Sequence, residues 1–223
     1  MKRFVPYLGI FLLGCSSTPP IDINNQVVPP HEKILGKGMD EYANIWWQWT
    51  RAIPSEVSPL KDRTGEHCHV NQTGEVWFLA GGFGSSKIKR TCTIPQGKHL
   101  FFPIINMAYW PRAGYKLSCD SAKQSAALNN DKLISINVEV DGVQIPNTGE
   151  FRFKSSDCFD LNGLIPKEYN APVVYPAAAD GYWLMLRPLE LGRHTIKFKA
   201  QYNRPNGAYG KMAQDIEYNL IVK

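Results

Sequence analysis

Two short stretches are apolar at nearly every position: "EVWFLAGG" (75–82) and "GYWLMLRPL" (181–189). Side chains alternate across a strand. In the first stretch Val76, Phe78 and Ala80 therefore face one way, and Trp77 and Leu79 the other. In the second, Tyr182, Leu184 and Leu186 oppose Trp183 and Met185. A strand with two apolar faces needs cover on both. The remaining strand-like segments make no such demand. "LISINVEVDGVQI" sets Ile134, Ile136, Val138 and Val140 against Ser135, Asn137, Glu139 and Asp141. "EFRFK" repeats the alternation with Phe151 and Phe153, "GRHTIKFKAQY" with Ile196, Phe198, Ala200 and Tyr202, and "QDIEYNLIVK" with Ile216, Tyr218, Leu220 and Val222. Period two with one polar face marks half-buried antiparallel strands. Asp141-Gly142 supplies a hairpin turn of the primed type. The pattern predicts an all-β fold with minor α content: an antiparallel β-sandwich, Ig-like or jelly-roll-like.

The cover for the doubly apolar sheet is a helix. From Gly38 to Ile53 the residues Met39, Tyr42, Ala43, Trp46, Trp49 and Ile53 recur at helical spacing. Asp40 and Glu41 sit in the first turn and Arg51 in the last, as the helix dipole favours. Pro54 stops the helix. Trp46 and Trp49 share the apolar stripe and are expected in the core. Trp47 points about 100° away, towards Asp40, Asn44 and Arg51, and is expected beneath a loop or at a surface site.

The start of the chain carries an address. Met1-Lys2-Arg3 precedes an apolar run from Phe4 to Leu13, far too short to span a bilayer and typical of a secretory signal. Leu12-Leu13-Gly14-Cys15 resembles the bacterial lipobox, which implies cleavage before Cys15 and lipidation of that cysteine. Ser16 in the next position implies the outer membrane, on its periplasmic side or at the cell surface, in a Gram-negative host. Residues 1–14 are thus read as signal peptide, 15–35 as lipidated cysteine and flexible tether, and 36–223 as one domain. Two Pro-Pro pairs keep the tether out of helix, and its reach is on the order of 25 Å.

Of five cysteines, removal of Cys15 leaves Cys68, Cys92, Cys119 and Cys158. An even number in an exported chain reads as two disulfides with three possible connectivities. Cys68–Cys92 and Cys119–Cys158 are favoured because each pair brackets a separable segment, each contributing on the order of 3 kcal/mol. The rival reading is a metal site at "EHCHV". On an extended strand His67 and His69 share a face while Cys68 turns away, which leaves two ligands and no partner cluster. No metal and no cofactor are predicted.

The blocks "WFLAGGFG", "RTCTIPQGKHLFFPIIN" and "ADGYWLMLRPLELGRHTI" resemble recurring blocks of a family of exported bacterial proteins and lipoproteins that also carries a Trp-rich helix ahead of the first block. The resemblance covers most of residues 36–198. It implies the same fold unit and a cysteine at the position of Cys92, and it supplies no catalytic residues.

The formal charge of +5 falls to +3 without Lys2 and Arg3, and there is no basic run and no nucleic-acid motif, which excludes nucleic acid as a partner. "AGGFGSS" lacks the dinucleotide and P-loop fingerprints and reads as a hairpin loop. No G-x-S-x-G elbow and no H-E-x-x-H is present. Asp40, Asp62, His67, His99, Asp180 and His194 are scattered acids and bases whose spacing pairs none of them. Asp180, before Gly181, reads as a turn former. The stronger signal is aromatic: Tyr109, Trp110, Arg112 and Tyr115 in one segment, Tyr169 and Tyr175 in another, and Trp47. These predict a non-catalytic binding module facing an envelope protein or glycan, of which an inhibitor or immunity protein is a specific form. The alternative is a cell-envelope hydrolase with a pocket beside the aromatic segments. Cys15→Ala is expected to release the protein from membranes or to leave an uncleaved precursor on fractionation. Normal processing with full membrane retention would show that the lipobox reading is wrong.

Overall fold

The computed structural model describes residues 22–84, 87–203 and 210–223, so the signal, Cys15 and Ser16 lie outside the described residues. The strands are β1 (Val76–Phe78), β2 (Ile88–Ile94), β3 (His99–Tyr109), β4 (Leu133–Val140), β5 (Val143–Gln144), β6 (Arg152–Lys154), β7 (Ala178–Leu186), β8 (Gly192–Asn203) and β9 (Lys211–Val222). The helices are α1 (Ile23–Gln26), α2 (Met39–Arg51) and α3 (Cys119–Asn130). One sheet runs β1-β3-β7-β6 and the other β2-β9-β8-β4-β5. The antiparallel sandwich is present, with one parallel pair in each sheet: β1 with β3 and β2 with β9. The parallel pairs follow from the path of the chain. It leaves β1 in the first sheet, enters the second as β2, and returns to the first as β3.

This path corrects the reading of "AGGFGSS". The segment crosses between sheets and is not a hairpin loop; Ser85 and Ser86 lie outside the described residues. A Cβ at Gly82 would run into the end of the Ile88 side chain, which would have to shift to admit it. The Gln214 side chain holds both backbone groups of Gly82, accepting from its N–H at 3.1 Å and donating to its carbonyl at 2.8 Å.

The two apolar faces of β1 and β7 are covered as their patterns require. Trp77, Leu79, Tyr182, Leu184 and Leu186 join the core between the sheets, with Phe102, Phe198, Tyr218 and Leu220. Val76, Phe78, Ala80, Trp183 and Met185 face outward and are buried by Met39, Tyr42, Ala43, Trp46 and Trp49 of α2. Phe101 and Trp183 stack at 5.4 Å with an interplanar angle of 6°. Trp46 meets Trp183 edge-on at 5.4 Å and donates its indole N–H to the Leu79 carbonyl at 2.9 Å. The Glu41 carboxylate accepts from the Gly38 N–H at 2.9 Å and fixes the start of the helix.

Arg90 is buried on β2, in line with Ile88, Cys92 and Ile94. Its guanidinium donates to the carbonyls of Asp62, Ala80 and Gly81 at 2.8, 2.7 and 2.9 Å and to the Tyr218 hydroxyl at 2.8 Å. Tyr218 in turn donates to the Ala80 carbonyl at 2.7 Å. The group ties the loop after α2, the sheet crossing and β9 together.

Both favoured disulfides are present, Cys68–Cys92 and Cys119–Cys158, with Cα–Cα distances of 5.9 and 5.8 Å. The 140–143 turn has Asp141 and Gly142 at φ 49° and 82°, as a primed hairpin turn demands.

Several expectations are corrected. Ile134 does not join the core. A register shift between Leu133 and Ser135 rotates it out, and it is 59% exposed. The tether expectation fails from Asp22 onward. Val27 bridges to Leu186, the Val28 N–H bonds the Met185 carbonyl at 2.9 Å, and Val28 and Ile34 are buried under the α2 side of the sheet. Val27, Val28 and Ile34 supply the buried apolar surface of this segment, and Glu32 pairs with Arg187 at 2.6 Å. Asp180 is no turn residue: it lies inside β7, buried against Arg152. Helix α3 was not foreseen. It buries Ala122 and Ala126 and packs on β3, β7 and β8.

If Trp46 and Trp49 carry the packing of α2, truncating either to Ala should lower unfolding free energy by about 3–5 kcal/mol. Trp47→Ala should cost distinctly less, because Trp47 is only half-buried. Denaturant melts of the three variants check this, and equal losses would show a helix buried on all sides.

Candidate binding surface

Strands β3 and β7 end together: Tyr109 pairs with Ala178 on their last rung. Two irregular segments leave from this rung. Residues 110–118 run on to α3, and residues 159–177 run into β7. Their far ends are joined as well, because Cys119 at the start of α3 is bonded to Cys158. The two segments are therefore held together at both ends, by a ladder rung and by a disulfide.

The longer segment is closed into a loop by its own side chains. Phe159 and Ala177 exchange two backbone bonds of 2.9 Å, and the Leu161 N–H bonds the Val174 carbonyl at 3.0 Å. The Asp160 carboxylate accepts from the N–H groups of Asn162 and Val174 at 3.0 and 2.8 Å. The Asn162 amide donates to the Pro172 carbonyl at 2.8 Å. At its tip, residues Lys167–Tyr169 form a 3-10 turn, ended by Asn170 in the left-handed region. The base of the loop sits on α2. Gln48 donates to the Asp160 carbonyl at 2.7 Å, Arg51 to the Asn162 side-chain oxygen at 3.1 Å, and the Ser155 hydroxyl to the Asn44 amide oxygen at 2.6 Å. The polar stripe of the helix is thus a seat for this segment.

The sequence-predicted aromatic residues divide accordingly. Trp47 lies between Trp46, edge-on at 5.4 Å, and Trp110 at 6.4 Å. A run of rings therefore leads from the buried Trp183 through Trp46 and Trp47 to the exposed Trp110. Tyr109 is half-buried at the end of β3, while Arg112 and Tyr115 are exposed on the shorter segment. Tyr169 and Tyr175 are exposed on the longer one. Sequence reasoning missed Val173, which with Tyr115, Tyr169 and Tyr175 has 57–75% of its surface in solvent, and Leu164, also exposed. The signal for both was an apolar residue in a Pro-rich stretch with no strand or helix period.

The scattered acids and bases are not brought together. Asp40 stays in the first turn of α2. The Asp62 carboxylate accepts from the N–H groups of Thr64, Gly65 and His67 and from the Thr64 hydroxyl. Burial alone would raise its pKa, but these bonds outweigh it and hold the group below its ordinary value. His67 lies with Cys68 in a turn rather than on a strand. His99, at the start of β3, has its pKa lowered by burial and by the Arg187 charge. Burial raises the Asp180 pKa against the opposing pull of Arg152, which bonds it at 2.9 and 3.0 Å. His194 meets the Asp141 carboxylate at 2.6 Å and the Glu190 carbonyl at 2.9 Å. The hydrogen bond that His194 donates to Asp141 raises its pKa against burial, and both ring nitrogens are occupied. Each of these groups except Asp40, His67 and His99 is saturated by partners within the fold. Among the described residues no three His, Cys, Asp or Glu side chains cluster as metal ligands. An open cleft of about 460 Å³ lies beside Cys68, Trp77 and Thr93, and one of about 390 Å³ beside Tyr42, Trp49 and Leu164. Neither is lined by the predicted aromatic residues.

The fold and this surface define a disulfide-stapled β-sandwich that presents two joined apolar segments at one end. No family model matches the chain, and no curated protein matches it. Among solved structures it is similar to the cysteine protease inhibitor EhICP2 from Entamoeba histolytica. Identity is 13%, the match covers 66% of this chain and 95% of that one, and the TM-score is 0.25. A likeness of that size carries no functional argument.

Replacing Cys119 and Cys158 together by Ser should leave the strands of the core protected while amide exchange across 110–118 and 159–177 rises. Hydrogen-exchange mass spectrometry checks this. Unchanged exchange in both segments would mean that the disulfide does not organise the surface.

Proposed function

We propose that the protein is a lipid-anchored, non-catalytic binding module of the bacterial cell envelope, held by lipidated Cys15 in the outer membrane. One observation carries the binding reading. Trp110, Tyr115, Tyr169, Val173 and Tyr175 are exposed on two segments that are fastened to each other and to α2. Aromatic residues on fixed loops give contact area with little entropy to lose, and exposed apolar groups gathered at one place mark interaction sites. An inhibitor or immunity protein acting on an envelope enzyme is the specific form this reading takes. The hydrolase alternative has no support from the acid–base pairs, since Asp180 and His194 are consumed by internal partners.

The test is co-purification after chemical crosslinking in cells that make the full-length protein. A variant with Trp110, Tyr115, Tyr169 and Tyr175 changed to Ala is expected to lose its crosslinked partner while its melting curve stays unchanged. Retention of the same partner would move the site elsewhere. Turnover of peptidoglycan by the purified protein would replace the binding module with the hydrolase.

A further inference from the structure

His194 is buried near the start of β8, where two connections of the sandwich meet. Its Nδ1 lies 2.6 Å from the carboxylate of Asp141, in the turn between β4 and β5. Its Nε2 lies 2.9 Å from the carbonyl of Glu190, in the loop between β7 and β8. Both partners are acceptors. A neutral imidazole has one N–H and serves one of them; the imidazolium has two and serves both. The arrangement is therefore complete only when His194 is protonated on both nitrogens. The charged groups facing the ring are Asp141 and Glu190, and its ladder neighbour on β9 is the apolar Leu220. The second oxygen of Asp141 accepts from the Thr195 N–H at 2.6 Å, so the carboxylate is fixed in place.

The bond to Glu190 holds the 187–191 loop at its β8 side. The other side of the loop is held by the N-terminal segment. The Arg187 N–H donates to the Gln26 carbonyl at 2.8 Å, the Gln26 amide donates to the Arg187 carbonyl at 2.5 Å, and the Arg187 guanidinium pairs with Glu32 at 2.6 Å. His31 and His99 are the titratable groups beside that pair. Leu189 is buried between the two polar ties, and Leu191 beyond it is exposed.

We infer that His194 is a pH-responsive latch: doubly protonated, it holds the 187–191 loop against the Asp141 turn, and loss of one proton frees the Glu190 side of that loop. The proton that remains stays on Nδ1, opposite the Asp141 charge. Nε2 then turns a lone pair towards the Glu190 carbonyl, and the two acceptors repel. This inference stands apart from the binding-module reading.

The hydrogen bond donated to Asp141 raises the His194 pKa against burial. The latch is therefore fully formed below the ordinary histidine value of roughly 6.5 and is lost as pH rises through the raised one. On the acid side burial would raise the Asp141 pKa, but its bonds with His194 and Thr195 outweigh this and hold it below the ordinary carboxylate value. The latch opens there only when pH falls through that lowered value. Burial and the Arg187 charge lower the His99 pKa, so its transition has the opposite sign and falls at lower pH.

Nitrogen-15 NMR of the full-length protein, followed against pH, reads both ring nitrogens of His194. Both are expected to carry protons at about pH 6, with a midpoint shifted above about 6.5. Amide exchange across 189–192 is expected to rise beyond its intrinsic pH dependence as that midpoint is passed. Asp141→Asn should move the midpoint and the step in exchange down together, and His194→Gln should abolish the step. If His194→Gln does not fold, the shift in Asp141→Asn decides alone. A single protonated ring nitrogen at about pH 6 would overturn the latch. So would exchange that follows its intrinsic dependence through the midpoint. A step that stays at the same pH in Asp141→Asn would overturn it as well, because the titrating group would then be His31 or His99.

Discussion

The architecture turns on one buried cation. A guanidinium removed from water costs several kcal/mol unless its hydrogen bonds are replaced. Arg90 replaces them with three backbone carbonyls and a tyrosine hydroxyl, drawn from parts of the chain far apart in sequence. Asp62 lies midway along the loop between α2 and β1, Ala80 and Gly81 begin the crossing between sheets, and Tyr218 comes from the last strand. The three parts of the chain meet only where β2 is enclosed by the loop after α2, the crossing and β9. Arg90 is thus satisfied in one arrangement only, and alternatives that strand it without partners are disfavoured. The crossing segment has no strand partner of its own at Ala80 and Gly81, so the same bonds also serve backbone groups that would otherwise go unmet.

How much of this was legible depended on whether the signal was apolar. The opposed faces of β1 and β7 and the single stripe of α2 are patterns of large apolar residues, and the structure buries each side as its period requires. Helix α3 escaped because its buried stripe is built from Ala122 and Ala126, small residues that give no apolar period. Ile134 obeyed the alternation on paper, but a register shift, which leaves no mark in composition, turned it outward. Arg90 was invisible for the opposite reason: a charged residue in an alternating strand reads as exposed until its partners are known.

The candidate surface was half legible. Its aromatic residues stood out in loops, yet nothing local said that residues 110–118 and 159–177 belong together. That fact needed the end register of β3 and β7 and the choice of one cysteine connectivity among three. Asn44 and Arg51, on the side of α2 that Trp47 faces, bond Ser155 and Asn162, and Gln48 bonds Asp160, so that side of the helix seats the longer loop and the residue before it. Trp47, set among them by its helical angle, is the ring through which the core touches Trp110.

The position of β7 sets how the molecule bears tension. The longer loop feeds directly into the first residue of β7, while the N-terminal segment grips its far end through Met185, Leu186 and Arg187. A pull between the loop and the start of the chain is therefore directed along this one strand. Strand β7 is flanked by β3 on one side and β6 on the other. Load applied along its axis shears all its rungs at once instead of opening them in turn from an end. Such a sandwich holds most stiffly in the direction joining its loop to its N-terminal segment, and yields more readily to a sideways peel of the short edge strand β6.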